Sequence, residues 1–409
     1  MNIFPHVNKS LFTPRNLEIW KWSFPEERIG ETVTIGGKKI KKLLTLDINI
    51  PDENFSKLVN DSPLGETPKV FAKNYPCPHA CPGCFNNATV KNPVMTYAEV
   101  MDVVDQGIKL GLESVKFLGP GELLANPDLF KILDGFKERN IVIGIFTKGA
   151  IMGSDILSQM YHGINSGQLV ERLVEYDNTT FLVGGRSFDP RIENKYVPTK
   201  NPDLRTQFNY HEARNLALQR LCDAGINSNP EKQRLSIQSN PVTPETIEGV
   251  FEIFKWGTER NIPVFVTSTM VSGKGHGLVK SQQELIFEDR YKKLAVEIYS
   301  YLIEKNIMSI EKLEHEGVSS YVGIAPCNQL THGLYIHYDG EVWRCPGNDT
   351  PDFVVHSNVR TTTLLDIWTN SKNYNINKFN NGCVKDGISI PLNFYEEVLT
   401  KLKGTYIKV

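Results

Sequence analysis

The sequence has no excess of either charge: 45 Lys and Arg stand against 47 Asp and Glu in 409 residues, a net charge of −2. Proteins that track a phosphate backbone carry a basic surplus, so a nucleic-acid partner is not supported. No run approaches the ~20 apolar residues of a membrane span. The opening "MNIFPHVNKSLFTPR" lacks the apolar core of a signal peptide. The expected location is therefore cytoplasmic, with no membrane partner. Cysteine is scarce and odd in number, seven in all, which fits a disulfide framework poorly where no secretory signal is seen. Metal binding or catalysis is the better use for them. Apolar residues are plentiful at 40% of the chain, enough to fill a sizeable core in two or three domains.

The cysteines are unevenly placed. "CPHACPGCF" puts Cys77, Cys81 and Cys84 within eight positions, whereas Cys222, Cys327, Cys345 and Cys383 stand singly. Strand and helix signals alternate around the cluster. "PKVFAKN" before it reads as a short strand. After it, Thr96 and Glu99 form a capping box for a helix in which Met101, Val104 and Ile108 share a face and Gly111 marks the end. "SVKFLGPGE" predicts a buried strand running into a glycine-rich loop. "NPDLFKILDGFKERN" predicts a helix with Asn126 as cap and Pro127 at its first position. Strands follow at "IVIGIF", "TTFLVGG", "RLSIQS" and "IPVFVTSTM", separated by "HEARNLALQRLCDAG" and by a helix from Thr243 with Ile247, Val250, Phe251 and Phe254 on one face. Repeated strand–helix units imply a parallel sheet with its site at the carboxyl ends of the strands, where the three cysteines fall. Cys222, beside Leu221 and near Leu216 and Leu218, reads as packing.

Three thiolates cannot close a four-iron cluster, which leaves one iron open as a binding site. Pro76, Pro78, Pro82 and Gly83 shape a loop in which three thiols can converge. The competing use is a zinc site completed by His79 or a distant ligand, although zinc sites usually come as paired two-residue spacings. The C-x3-C-x2-C loop after a strand resembles that of the radical S-adenosylmethionine (SAM) enzymes, with Cys77, Cys81 and Cys84 in the ligand positions. The resemblance implies a partial (β/α)6 barrel, a [4Fe-4S] cluster and SAM as cofactors. It also implies an electron donor such as flavodoxin or ferredoxin, and hydrogen abstraction by a 5′-deoxyadenosyl radical. Most members carry an aromatic residue before the third cysteine, where this chain has Gly83. The "GPGE" segment resembles the family's Gly-Gly-Glu, which implies that Gly119, Gly121 and Glu122 receive the SAM amino group. Thr147, Ser187 and Asn240, at the following strand ends, are the remaining candidate SAM contacts.

The last hundred residues leave this rhythm. "GLYIHYDGEVWRC" reads as a hairpin turning at Asp339-Gly340. Cys327, this hairpin ending in Cys345, the helix "TTTLLDIW" and Cys383 resemble the Twitch and SPASM auxiliary-cluster extensions. With three cysteines rather than seven, at most one auxiliary iron–sulfur cluster is expected, through Cys327, Cys345 and Cys383. The usual C-x2-C ending is here Cys383-Val384-Lys385-Asp386, so its fourth ligand stays open between Asp386, another side chain and none. An Asp-x-His-x-x-Gly segment of cobalamin-binding relatives is missing.

The expected organisation is an N-terminal extension (1–66), a radical SAM partial barrel (67–310) and an auxiliary-cluster region with a β-hairpin (311–409). "KKLLTLDINIPDENF" could cover a barrel edge or wall the site. The expected function is an oxidoreductase that cleaves SAM and abstracts hydrogen for oxidation or bond formation on a peptide or peptide-derived natural product. A dehydrogenase or rearrangement enzyme acting on a sugar, aminocyclitol or nucleotide stays open, as does a non-catalytic iron–sulfur electron-transfer protein.

Overall fold

Apolar strands separated by amphipathic helices do assemble into a parallel sheet. In the computed structural model, residues 19–51, 77–85, 94–119, 121–200, 208–229, 231–282, 285–324, 326–327, 329–350, 354–371 and 382–407 are described. A two-stranded hairpin, β1 (Thr32–Ile35) and β2 (Lys38–Lys41), precedes a nine-stranded sheet. Six of its strands run parallel in chain order: β3 (Thr45–Ile48), β4 (Ser114–Phe117), β5 (Val142–Thr147), β6 (Thr179–Gly184), β7 (Leu235–Val242) and β8 (Val264–Ser268). This is the α/β, partial-barrel order expected from the sequence.

Two faces follow from the period of two along each strand. Leu46, Ile48, Val115, Phe117, Ile143, Ile145, Phe181, Val183, Ile237 and Val264 join the main hydrophobic core beneath the helices. Burying each such side chain is worth about 1.5–3 kcal/mol. The alternate positions Asp47, Lys116, Phe146, Leu182, Gln238 and Phe265, one from each of the six strands, line a single cavity.

Several local expectations shift. "PKVFAKN" lies outside the described residues; the strand that opens the parallel run is β3, within "KKLLTLDINI". The Thr96–Glu99 capping box starts the helix Tyr97–Lys109, and Gly111 follows with φ +94°. The next helix, Leu129–Glu138, begins later than its Asn-Pro signal, because the Asn126 side chain accepts from Asp128 N–H at 2.8 Å and donates to the Pro51 carbonyl at 3.0 Å. Thr243 likewise forms a turn with Thr246, and the helix runs from Ile247 to Thr258.

The hairpin of the last hundred residues is part of the same sheet. β9 (Gly333–Ile336) pairs parallel with β3, and β10 (Glu341–Trp343) and β11 (Val354–Asn358) extend the edge antiparallel. His337 N–H donates to the Glu341 carbonyl at 2.8 Å, so the connection is Tyr338–Gly340, one residue longer than the Asp-Gly signal. Gly340 takes φ +84°, as a three-residue loop requires. The "LLDIW" helix spans Leu364–Asn370, and its fully buried Trp368 donates to the Lys41 carbonyl at 2.7 Å.

Candidate active site

The first cysteine loop is held by its neighbours. Ala80 N–H donates to the Pro198 carbonyl and Lys200 N–H to the Pro78 carbonyl, each at 2.8 Å, while Lys274 N–H reaches the Cys84 carbonyl at 2.9 Å. A Cβ at Gly83 would sit 2.6 Å from Leu278 Cδ1, so Leu278 occupies the space into which a larger residue before the third cysteine would project. Cys77, Cys81 and Cys84 are outside any disulfide and line the cavity. Burial pushes the Cys77 thiol up to about 12, with Lys200 pulling it down, so a metal bound there would displace a proton.

Three residues of "GPGE", Gly119, Gly121 and Glu122, line the same cavity. Gly119 and Gly121 both adopt φ near +90°, a conformation glycine accepts freely, and both line the cavity. Glu122 is buried, and its oxygens accept from the backbone N–H of Lys148 (2.9 Å) and of Leu124 (3.4 Å). Burial pushes its carboxyl up, and hydrogen bonds from Lys148 and Thr147 oppose the rise. Thr147 also accepts from Gly149 N–H at 2.9 Å, and Asn240 donates to the Ser268 carbonyl at 2.8 Å; both line the cavity. Ser187 does not. Its hydroxyl accepts from Asp189 N–H at 2.9 Å, and its own N–H is tied to the buried Glu193. The neighbouring Arg186, 1% exposed and paired with Glu193, reaches the cavity in its place.

The C-terminal cysteines converge by tertiary packing. Asn348 donates to the Val384 carbonyl at 2.9 Å, drawing the Cys345 loop onto the Cys383 loop, and Gly347 lies between Cys345 Sγ and Val384. Lys385 anchors this pair of loops to Thr267 (2.6 Å) and to the Ser268 carbonyl (3.2 Å) at the end of β8. Cys327 enters from the segment before β9. Burial pushes its thiol up to about 11, and Cys383 adds to the rise, as Cys383 and Cys327 do for Cys345. Cys327 and Cys345 line the same cavity as Cys77, Cys81 and Cys84. One short strap touches both sets: Val271 N–H donates to the Gly347 carbonyl at 2.7 Å, and Lys274 N–H to that of Cys84.

Polar and aromatic groups that the motifs did not single out share the cavity. Lys116 Nζ stands 2.8 Å from Asp47 Oδ1, donates to Gln329 Oε1 at 2.9 Å and lies 5.0 Å from the Trp22 ring centre. Trp22, from the N-terminal segment, packs against Phe146 and Phe265, with ring centres 4.9 and 5.8 Å away, and over Gly144, where a Cβ would meet it at 2.8 Å. The signal for the pair was available: a Lys in "SVKF" and an Asp in "TLDI" are charges inside otherwise apolar strands. The Trp22 contact is long-range and left no local pattern.

Four ligands about 2.3 Å from a tetrahedral zinc stand within roughly 3.8 Å of one another. Among the described residues, the only trio of His, Cys, Asp and Glu side chains with ligand atoms all within 4.8 Å is His337, Asp339 and Glu341. Neither cysteine set is drawn that close, and His79, the proposed zinc partner, is packed beside Phe208 and Tyr210 with both ring nitrogens lacking hydrogen-bond partners among the described residues. The cations Lys148 and Arg186 line the same cavity as Cys77, Cys81 and Cys84, and positive charge there suits an anionic iron–sulfur cube.

The radical SAM superfamily model matches residues 75–278. The chain belongs to the radical SAM superfamily. A second match, the SPASM iron-sulfur cluster-binding domain, covers residues 327–386. Membership brings a [4Fe-4S] cluster and SAM as cofactors, and the SPASM match brings auxiliary iron–sulfur binding. No curated protein matches the radical SAM chain. Among solved structures, native anSMEcpe with bound AdoMet is similar at 14% identity and TM-score 0.51, covering 88% of this chain and 97% of that one. The likeness is one of fold. Streptococcus suis SuiB bound to precursor peptide SuiA aligns at 16% identity and TM-score 0.49, over 81% of this chain and 66% of SuiB, so the chain spans just under two thirds of SuiB's length. No described helix is long and apolar enough to cross a membrane.

Proposed function

We propose that this chain is an oxidoreductase that carries out oxidation or bond formation on a peptide or peptide-derived natural product. One observation supports it most: the Cys77, Cys81 and Cys84 set opens onto the same cavity as Cys327 and Cys345. Cys77, Cys81 and Cys84 would hold the [4Fe-4S] cluster, Cys327, Cys345 and Cys383 an auxiliary one, and Gly119, Gly121, Glu122, Thr147 and Asn240 would hold SAM. When bound, these groups supply one-electron cleavage of the sulfonium and hydrogen abstraction by the 5′-deoxyadenosyl radical.

The chain's own residues set what that chemistry acts on. The Glu122 carboxylate, fixed by backbone N–H groups, presents an acceptor to an ammonium group without having to reorganise. Trp22, Phe146, Leu182, Phe265 and Ile324 form an apolar wall that excludes water and accommodates an alkyl or aromatic side chain. That wall favours a peptide side chain over a sugar or aminocyclitol, whose hydroxyls would go unsatisfied against it. Asp47, buried beside Lys116, holds a carboxylate where a proton lost from the substrate can go.

The test uses anaerobically reconstituted protein, reduced by dithionite or flavodoxin and given SAM with peptides encoded beside its gene. The expected result is 5′-deoxyadenosine formation that rises with one peptide, and a product lighter by two hydrogens. Stimulation by sugars, aminocyclitols or nucleotides and by no peptide would overturn the substrate class. No 5′-deoxyadenosine under any condition would overturn the radical reaction.

A further inference from the structure

The fourth position of the auxiliary site can be argued from how the chain uses Asp386. The sequence has no further cysteine to spend there, since Cys222 lies in the helix Tyr210–Asp223 and packs against the main core. Asp386 stands where a fourth thiolate would complete a C-x2-C pair, and a carboxylate could in principle replace it. The structure gives both of its oxygens other work: Oδ2 accepts from Cys383 N–H at 2.9 Å and Oδ1 from the Tyr395 hydroxyl at 2.7 Å. Asp386 N–H returns to the Cys383 carbonyl at 3.0 Å, which closes a tight turn. The carboxylate is exposed and does not line the cavity. It is also a hard donor, ill matched to iron–sulfur coordination.

Cys327 and Cys345, by contrast, line the cavity together with Lys116, Asp47, Gln329 and Tyr321. We propose that the auxiliary cluster is held by Cys327, Cys345 and Cys383 alone, that Asp386 is a positioning residue for Cys383, and that the fourth iron position takes a thiolate, amine or carboxylate brought in from the shared cavity. The inference rests on an auxiliary cluster being bound by these cysteines. It predicts a site with one iron unlike the other three.

The experiment isolates that cluster in the full chain carrying Cys77→Ala, Cys81→Ala and Cys84→Ala, reconstituted anaerobically with iron-57 in thiol-free buffer. The probe is carbon-13 cyanide. Expected are a Mössbauer spectrum with one distinct iron in four and a carbon-13 hyperfine coupling on the reduced cluster. Asp386→Asn, which keeps an acceptor for Cys383 N–H, should leave iron content and spectrum unchanged. Asp386→Ala should lower iron content, with Asn restoring it, and Asp386→Cys should abolish the cyanide coupling. If Asp386→Cys assembles no cluster, the cyanide and Asn results decide. A spectrum altered by Asp386→Asn overturns the proposal by placing that carboxylate on iron. Absence of cyanide coupling overturns it by showing the position filled from within the chain, and coupling that appears only with Asp47→Asn would identify Asp47 as the occupant. Failure to bind any iron overturns the auxiliary cluster itself, a result distinct from a bound but unresponsive cluster.

Discussion

The two cysteine sets are built on opposite principles. Cys77, Cys81 and Cys84 are gathered by eight residues of chain, so their closeness is a property of local sequence. Cys327, Cys345 and Cys383 span 57 positions, and only tertiary contacts bring them together: Asn348 to the Val384 carbonyl, Lys385 to β8, and β9 to β3. A local set costs little loop closure, whereas a dispersed one comes together only as the fold forms. The first is a portable motif; the second is an outcome of the sheet.

The strongest way to break this comparison is to delete each set in turn. Replacing Cys77, Cys81 and Cys84 by Ala should abolish 5′-deoxyadenosine formation while the auxiliary cluster stays. Replacing Cys327, Cys345 and Cys383 should remove up to one cluster and end product formation, yet leave slow substrate-independent SAM cleavage. Iron per chain and 5′-deoxyadenosine measured side by side decide it. If the second variant also loses all SAM cleavage, the sets are not separable units.

Gly273 offers a sharper cut, because it belongs to the strap that touches both loops. It takes φ +53°, and a Cβ there would lie 2.5 Å from the Phe85 carbonyl oxygen and 2.8 Å from that of Cys84. Gly273→Ala adds about 1–2 kcal/mol of left-handed strain to this backbone collision. The expected outcome is reduced occupancy of the first site with the auxiliary signal intact, read by EPR with and without SAM. Equal loss at both sites would mean that the strap couples the two sets, so that they are not built independently.

The same contrast explains what could be read in advance. The parallel strand–helix order, the Thr96 capping box and the first cysteine loop were legible, because each depends on residues a few positions apart. Asp339-Gly340 announced the hairpin, but nothing local announced that β9 would extend the barrel sheet beside β3, or that "TLDI" would supply its first strand. Ser187 was placed by its position at a strand end. The chain there spends that hydroxyl on Asp189 and turns Arg186 into the cavity, a choice set by the buried Glu193, 6 residues further on from Ser187.

Glu122 tests the local set without removing a thiol. Glu122→Ala should weaken SAM binding by about 1–3 kcal/mol, the range for losing a charged hydrogen-bond partner. The cluster should remain, since Glu122 contacts backbone N–H groups rather than the cysteine loop. Isothermal titration with unchanged affinity would reduce "GPGE" to a turn.

The smallest effect probes the seam on which the dispersed set depends. His332 precedes β9, its carbonyl accepts from Leu44 N–H at 2.8 Å, and its ring is buried against Phe24. Burial, with Lys41 and Arg28 nearby, lowers its pKa from 6.5 to about 4. The unfolded chain therefore binds the proton first: the contribution to stability is whole above pH 6.5 and is lost as pH falls toward 4. Between pH 6.5 and 5.5 this costs about 1 kcal/mol. Because the ring sits where β9 docks on β3, opening should begin at that seam, so amide exchange in β9 should quicken before exchange in β5 and β6. His332→Gln should flatten the pH dependence of the urea midpoint over this interval. Parallel curves for the two proteins would show that the imidazole is not the group being titrated, and simultaneous exchange of β9 and β5 would show that the C-terminal strands unfold as one unit with the barrel.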